Sequence, residues 1–140
     1  MNTLELTVSG NEKRKRGEWA LALQDIQCNE NLDDGEVVDL VDKEGNFRGR
    51  GVFFASGPIS VEILSRRKLD IDHDFFFRRL HRAMDLRDVS GVDSTSYRVV
   101  NGAGDDLPGL VVDRFGDYLR VEIRSTFIHR YRKAIYDCLE

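Results

Sequence analysis

The stretch from Gly35 to Phe54, GEVVDLVDKEGNFRGRGVFF, constrains the fold more than any other part of the chain. Two apolar runs flank Asp42 to Asn46, whose Asp, Gly and Asn carry turn chemistry, so the segment predicts strand, turn, strand. Alternation along the second strand puts Phe47 and Phe53 on one face with the glycines between them. Arg48 and Arg50 share the other face, where both are expected to meet solvent or a polyanion. After a loop at Ser56 to Pro58, ISVEIL predicts a third strand that ends directly in SRRK, Ser65 to Lys68. Strands this short and this closely spaced specify a compact small-β domain, read here as a barrel.

The period then changes. In IDHDFFFRRLHRAMDLRD, Phe76, Leu80, Ala83 and Met84 fall at helical spacing, with Asp72 as the predicted N-cap and Arg78 and Arg82 pointing away from the apolar stripe. The helix stops near VSGVDS, a polar, Gly-containing break suited to a domain boundary. Next, YRVVNGAG delivers a strand into a turn with Gly102 and Gly104 in a G-x-G arrangement. A nucleotide cradle must open a helix, whose free N–H groups hold the phosphate. Here Pro108, Gly109 and LVVDRFGDYLRVEI follow, which read as two strands around a turn at Arg114 to Asp117, so the glycines are read as turn residues. Ser125 or Thr126 is the expected cap of a final helix over RYRKAIYDCLE.

Composition excludes several classes. With 140 residues, 41% hydrophobic and 33% charged, the chain has a globular composition rather than a disordered one. No apolar run approaches the roughly 20 residues of a membrane span, and MNTLELTVSG lacks the regions of a signal peptide, so a cytoplasmic location is expected. Cys28 and Cys138 are far apart and in no ligand spacing, which argues against a disulfide framework or a zinc site; both are read as reduced thiols. The net charge of −4 hides a segregation. Acidic residues crowd Asp25 to Glu44, whereas basic ones cluster at Lys13 to Arg16, Phe47 to Arg50, Ser65 to Lys68 and Phe77 to Arg82. A fold that gathers those blocks would offer a polyanion surface.

Other residues draw structural readings. Trp19, beside ALAL, is expected to be a largely shielded anchor rather than a base-stacking platform. Asp105, Asp106 and Asp113 lie in turn and strand context with no histidine near, so no metal or acid-base site is assigned to them. His73 and His81 are expected at the surface of the arginine-bearing helix, and His129 is uninformative.

At this point a resemblance is carried by several segments in one order. DLPGLVVDRFGDYL, preceded by YRVVNG, resembles the DGLPGL-VVDRYGD segment of bacterial PUA-containing, S-adenosylmethionine-dependent large-subunit ribosomal RNA cytosine-C5 methyltransferases. Gly17 and Trp19 stand where that family has Gly-His-Pro-Trp, the GEVVDLVDKEGNFRGRG hairpin resembles the PUA core, and IDHDFFFRRLHRAMDLR is similar to the family's linking helix. Three departures occur: Glu18 replaces His-Pro, Ala103 stands where an acidic residue is common, and Asp106 replaces a glycine, so that positive φ would be less comfortable there.

The resemblance implies an α+β chain: an N-terminal PUA-like small β-barrel over residues 1–72, a linking amphipathic helix over 73–90, and over 91–140 the hairpin-plus-helix start of a small central α/β domain. It implies large-subunit ribosomal RNA as partner. S-adenosylmethionine is implied for the full-length family, whose Rossmann-like catalytic domain is read as absent from this chain; no catalytic, cofactor-binding or metal residue is assigned, and the chain alone is expected to be inactive in methyl transfer. The expected RNA contacts are Arg48, Arg50, Arg66, Arg67, Lys68, Arg78 and Arg82, lining one surface with the Asp25 to Glu44 segment turned elsewhere. A free-standing PUA-like RNA-binding protein and a protein-interaction domain remain as alternatives.

Overall fold

The computed structural model describes residues 2–27, 31–89 and 95–140. Cys28 and nearly all of the expected break at Val89 to Ser94 lie outside them. The architecture is α+β, as expected, and the chain divides into two units, Met1–Leu69 and Asp70–Glu140.

In the first unit, β1 (Asn2–Leu6) leads into α1 (Val8–Lys15). The short strands β2 (Ala20–Leu21) and β3 (Ile26–Gln27) flank a 3-10 turn at Leu23–Asp25, and β4 (Val37–Val41), β5 (Phe47–Phe53) and β6 (Val61–Ser65) follow. They form one sheet in the order β2-β6-β5-β4-β1-β3, parallel between β1 and β4 and antiparallel elsewhere. The sheet must curl. Six strands laid flat would put the outer two roughly 24 Å apart at about 4.8 Å per step. The five residue steps from Leu21 to Ile26, which join those outer strands, reach only about 18 Å. The result is a nearly closed barrel. Alternating residues fill it, with Leu4, Leu6, Leu21, Val38, Leu40, Val61 and Ile63 all buried.

β4 and β5 are the hairpin expected from Gly35 to Phe54, with one irregularity. Leu40 pairs with Gly49 but Val41 with Phe47, so Arg48 bulges from the ladder and the simple alternation of Phe47 to Phe53 is interrupted. The Asp42 carboxylate organises the turn by accepting from the backbone N–H groups of Glu44 and Asn46 at 3.0 and 2.9 Å.

In the second unit, α2 (His73–Val89) precedes a three-stranded antiparallel sheet of β7 (Ser96–Asn101), β8 (Leu110–Phe115) and β9 (Tyr118–Ile123). Asp72 caps α2 by accepting from Phe75 N–H at 3.1 Å. The expected stripe is buried at Phe76, Leu80 and Ala83, and half-buried at Met84. Within this unit α2 packs against β7 and against α4 (Arg132–Leu139). The C-terminal helix is interrupted. Ser125 caps α3 (Thr126–Arg130), and the chain breaks at Tyr131 before α4 begins. The Tyr131 ring lies 5.2 Å from Phe76 and 5.3 Å from Phe127, centroid to centroid, which explains why the backbone bends to place it there. Among the described residues no helix is long and apolar enough to cross a membrane.

Candidate nucleic-acid interface

Among the described residues, the Gly102 to Gly104 turn, a cavity of about 660 Å³ in the second unit lined by His73, Phe77, His81, Tyr97 and Cys138 among others, and the cationic end of the first unit could each hold a ligand.

The turn is filled by the protein itself. Gly102–Asp105 form a 3-10 turn that runs through Asp106 into β8, not into a helix. Asp105 is buried; its carboxylate accepts from Asn101 N–H at 2.6 Å and from Arg87 of α2 at 2.9 Å. Asp106 adopts φ 58°, the left-handed conformation expected at a position where the resembling family carries glycine. Its carbonyl accepts from Arg79 at 2.6 Å and its carboxylate from Arg82. Three arginines of α2 therefore tie the turn to the helix. Asp113 pairs with Arg98 at 2.9 Å, so all three acids have structural partners.

The first unit is different. Where α1 ends, Gly17 takes φ 79° and its N–H bonds back to the Arg14 carbonyl at 3.0 Å, closing the helix. This turns Arg14, Lys15 and Arg16 toward the start of β5 and the end of β6. Together with Gly17, Phe47, Arg48 and Arg66 they line a cleft of about 320 Å³. Five of its seven lining residues are cations and none is an acid.

Each cation is held differently. Arg14 is buried, with Nε donating to the Arg48 carbonyl at 3.1 Å and Nη1 to the Glu18 carbonyl. Burial lowers its pKa, and the neighbouring charge of Arg66 adds to that, yet a guanidinium remains protonated. Arg48, about one-third exposed, is gripped by Asp42 through Nε and Nη2 at 3.0 and 2.7 Å. Lys15 and Arg16 are exposed and, among the described residues, meet exposed glutamates, Glu12 at 3.8 Å and Glu18 at 2.8 Å. Arg66, Arg67 and Lys68 are exposed, and the Lys68 ammonium lies 5.3 Å above the Phe47 ring.

Several expectations are corrected here. Arg50 does not face solvent: its side chain is 9% exposed, bonds to Asp39 directly across the β4–β5 ladder, and donates to the Leu69 carbonyl. Nor is the acidic segment turned elsewhere. Cross-strand register brings Asp39 to Arg50, and the turn brings Asp42 to Arg48, because opposite charges on neighbouring strands neutralise one another. Trp19 is 40% exposed, not shielded, since the two-residue strand that follows it anchors the chain through backbone bonds, Trp19 O accepting from Ile63 N–H at 2.8 Å. Arg78 and Arg82 belong to the second unit, where both are exposed. The residues that sequence reasoning left out of the site, Arg14, Lys15 and Arg16, sit in a cationic run whose helix, VSGNEKRK, lacks an apolar stripe to announce it.

A small, nearly closed barrel with one helix ending at a cationic cleft defines the class. Residues 4–66 match the family model described as "PUA-like domain", and the first unit carries such a domain. The chain as a whole is homologous to proteins named ribosomal RNA large subunit methyltransferase I. It is 31% identical over 140 residues to that of Erwinia tasmaniensis, covering 96% of this chain and 35% of the relative. It is 35% identical over 111 residues to that of Citrobacter koseri, covering 76% and 28%. The chain thus spans about a third of the length of the curated relatives it matches. A solved structure described as "a putative sam-dependent methyltransferase from Streptococcus mutans" superposes with a TM-score of 0.85 at 25% identity, covering 99% of this chain and 37% of that one.

Proposed function

We propose that this chain is the RNA-binding N-terminal part of an S-adenosylmethionine-dependent methyltransferase that acts on cytosine C5 in large-subunit ribosomal RNA. The observation that supports it best is the cleft itself: a chain of net charge −4 gathers five cations, without an acid among them, around one opening. Such a surface attracts the phosphate backbone whatever the base sequence, and serves to position RNA rather than to read it.

The cations divide the work. Lys15, Arg16 and Arg66 line the cleft and neutralise phosphates, with Arg67 and Lys68 beside them. Arg48 is a contact whose direction Asp42 fixes. Arg50 supports the hairpin from within. Arg78 and Arg82 supply further contacts from the second unit, Arg82 while also holding Asp106.

In this reading S-adenosylmethionine supplies the methyl group. The Gly102 to Gly104 turn does not fit a cradle for it: it leads into a strand and is occupied by Asp105, Asp106 and their arginines. Cys138 Sγ lies 3.5 Å from His73 Nε2, but burial, then the charges of Asp137 and Asp74, push its thiol pKa up, away from the thiolate. No step of methyl transfer is assigned to these residues.

The test is binding of large-subunit rRNA fragments over a salt series, with wild type and Lys15→Glu/Arg16→Glu compared after circular dichroism shows both folded. The double variant is expected to bind more weakly, with the log-log salt slope flattened by about 1.4, roughly 0.7 for each phosphate lost on single strands. Unchanged affinity and slope would sink the RNA reading and favour a protein-interaction surface.

A further inference from the structure

Lys13, Arg48, Arg50 and Arg87 each meet a carboxylate, those of Asp25, Asp42, Asp39 and Asp105. Arg14 and Arg66 instead line one cleft, with no carboxylate paired to either among the described residues. Arg14 is 8% exposed, with Nε and Nη1 committed to the Arg48 and Glu18 carbonyls, while Nη2 has no protein acceptor among the described residues. Its charge and that of Arg66 are close enough to act on one another.

Two glycines make room for the pair. A Cβ on Gly17 would stand 3.3 Å from Arg66 Nη2, and a Cβ on Gly49 would stand 3.6 Å from Arg14 Nε and Nη2. Gly17 and Gly49 also sit at φ 79° and 141°, so the backbone that supports both guanidiniums is one that side chains disfavour. Holding like charges together beside a nearly buried arginine costs free energy, and a third group of opposite sign relieves it. A guanidinium presents its N–H groups in a planar fork that matches an oxyanion.

We propose that Arg14 and Arg66 form a seat for one phosphate-class oxyanion, with Arg14 Nη2 and the Arg66 guanidinium as donors and the bare Gly17 leaving the approach open. The inference rests on the RNA reading only for the source of the anion: a backbone phosphodiester if that reading holds, a free phosphate otherwise.

The experiment is a titration of inorganic phosphate into the full chain labelled with ¹⁵N, at constant ionic strength set with chloride. Saturable shifts of the Gly17 amide and the Arg14 Nε–H are expected, weakened about tenfold or more in Arg66→Gln, where charge-assisted hydrogen bonds are lost. Arg66 is exposed, so this variant should fold; Arg14→Lys, which keeps charge but not the fork, is expected to weaken phosphate as well. Shifts that never saturate, or that chloride reproduces, overturn the seat. An RNA arm separates the two readings, since Arg66→Gln should flatten the salt slope by about 0.7. RNA binding with an unchanged slope and no phosphate site removes the seat and leaves the RNA reading. A saturable phosphate site without RNA binding keeps the seat and removes the RNA reading.

Discussion

Arg50 and Asp39 face one another across β4 and β5, Nε to Oδ1 at 2.7 Å and Nη2 to Oδ2 at 3.2 Å, with 9% and 15% of their side chains exposed. Removing one partner leaves the other charged and largely out of water. Asp39→Asn is therefore expected to lower stability by about 3 kcal/mol, whereas Asp39→Leu/Arg50→Met recovers most of that loss. Urea denaturation measures both. The double variant should also retain RNA affinity within about twofold, and a larger loss would return Arg50 to the interface.

Asp42 predicts a pH dependence. Burial opposes its charge, but the Asn46 N–H groups and the Arg48 guanidinium outweigh it and bring the carboxyl down to about 2 from 3.8. A carboxyl depressed on folding stabilises the native state above its unfolded pKa, and that contribution is lost as pH falls through the folded value. The stability difference between wild type and Asp42→Asn should be full above about pH 4 and should shrink toward pH 2. Urea midpoints taken along that range decide it; a difference that grows on acidification would contradict the assignment.

Asp106 tests backbone strain. At φ 58° a β-branched side chain is disfavoured, so Asp106→Val should cost about 1–2 kcal/mol or more. Asp106→Gly removes the strain along with the exposed pair to Arg82, and should stay within about 1 kcal/mol of wild type. Thermal melts that rank the valine variant above the glycine one would refute the argument.

Trp19 offers a spectroscopic check. Since it is 40% exposed, acrylamide should quench its fluorescence more slowly than free tryptophan but far faster than a core indole. It does not line the cationic cleft, so phosphate should leave its emission unchanged.

S-adenosylmethionine provides the last prediction. Because the Gly102 to Gly104 turn is tied to α2 by its own side chains, calorimetric titration of this 140-residue chain should show no saturable binding at micromolar concentrations. A saturable isotherm would reopen that turn as a ligand site.

Where local chemistry decided structure, the sequence was readable. The turn residues Asp42 to Asn46 placed the β4–β5 hairpin, Asp72 and the spacing of Phe76, Leu80 and Ala83 placed α2, and Ser125 placed the start of α3. Proline and glycine at 108 and 109 ruled out a helix after the glycine turn, and β8 follows there. What was hidden depends on pairing at a distance. β1, β2 and β3 are too short or too plain to stand out, and they exist because the barrel supplies their partners. The cleft was half legible for the same reason. Clusters at Phe47 to Arg50 and Ser65 to Lys68 lie at the end of the unit where the cleft is, but strand register, which alternation alone did not give, decided that Arg50 turns to Asp39, while Arg66 lines the cleft beside Arg14.

The place of β1 in the sheet has a consequence for how the protein is made. β1, made before every other strand of this unit, lies inside the sheet, between β3 and β4, with Asn2 opposite Val38. Contact order is therefore high for β1: Leu4, opposite Leu40, has no β4 partner until that strand is made, whereas Leu6 can pair earlier with Ile26. Folding of the unit is expected to be slow and all-or-none, with nascent β1 the segment most in need of protection. The same placement makes β1 structural, so that deleting residues 2–6 would strip β3 of its partner and open the barrel.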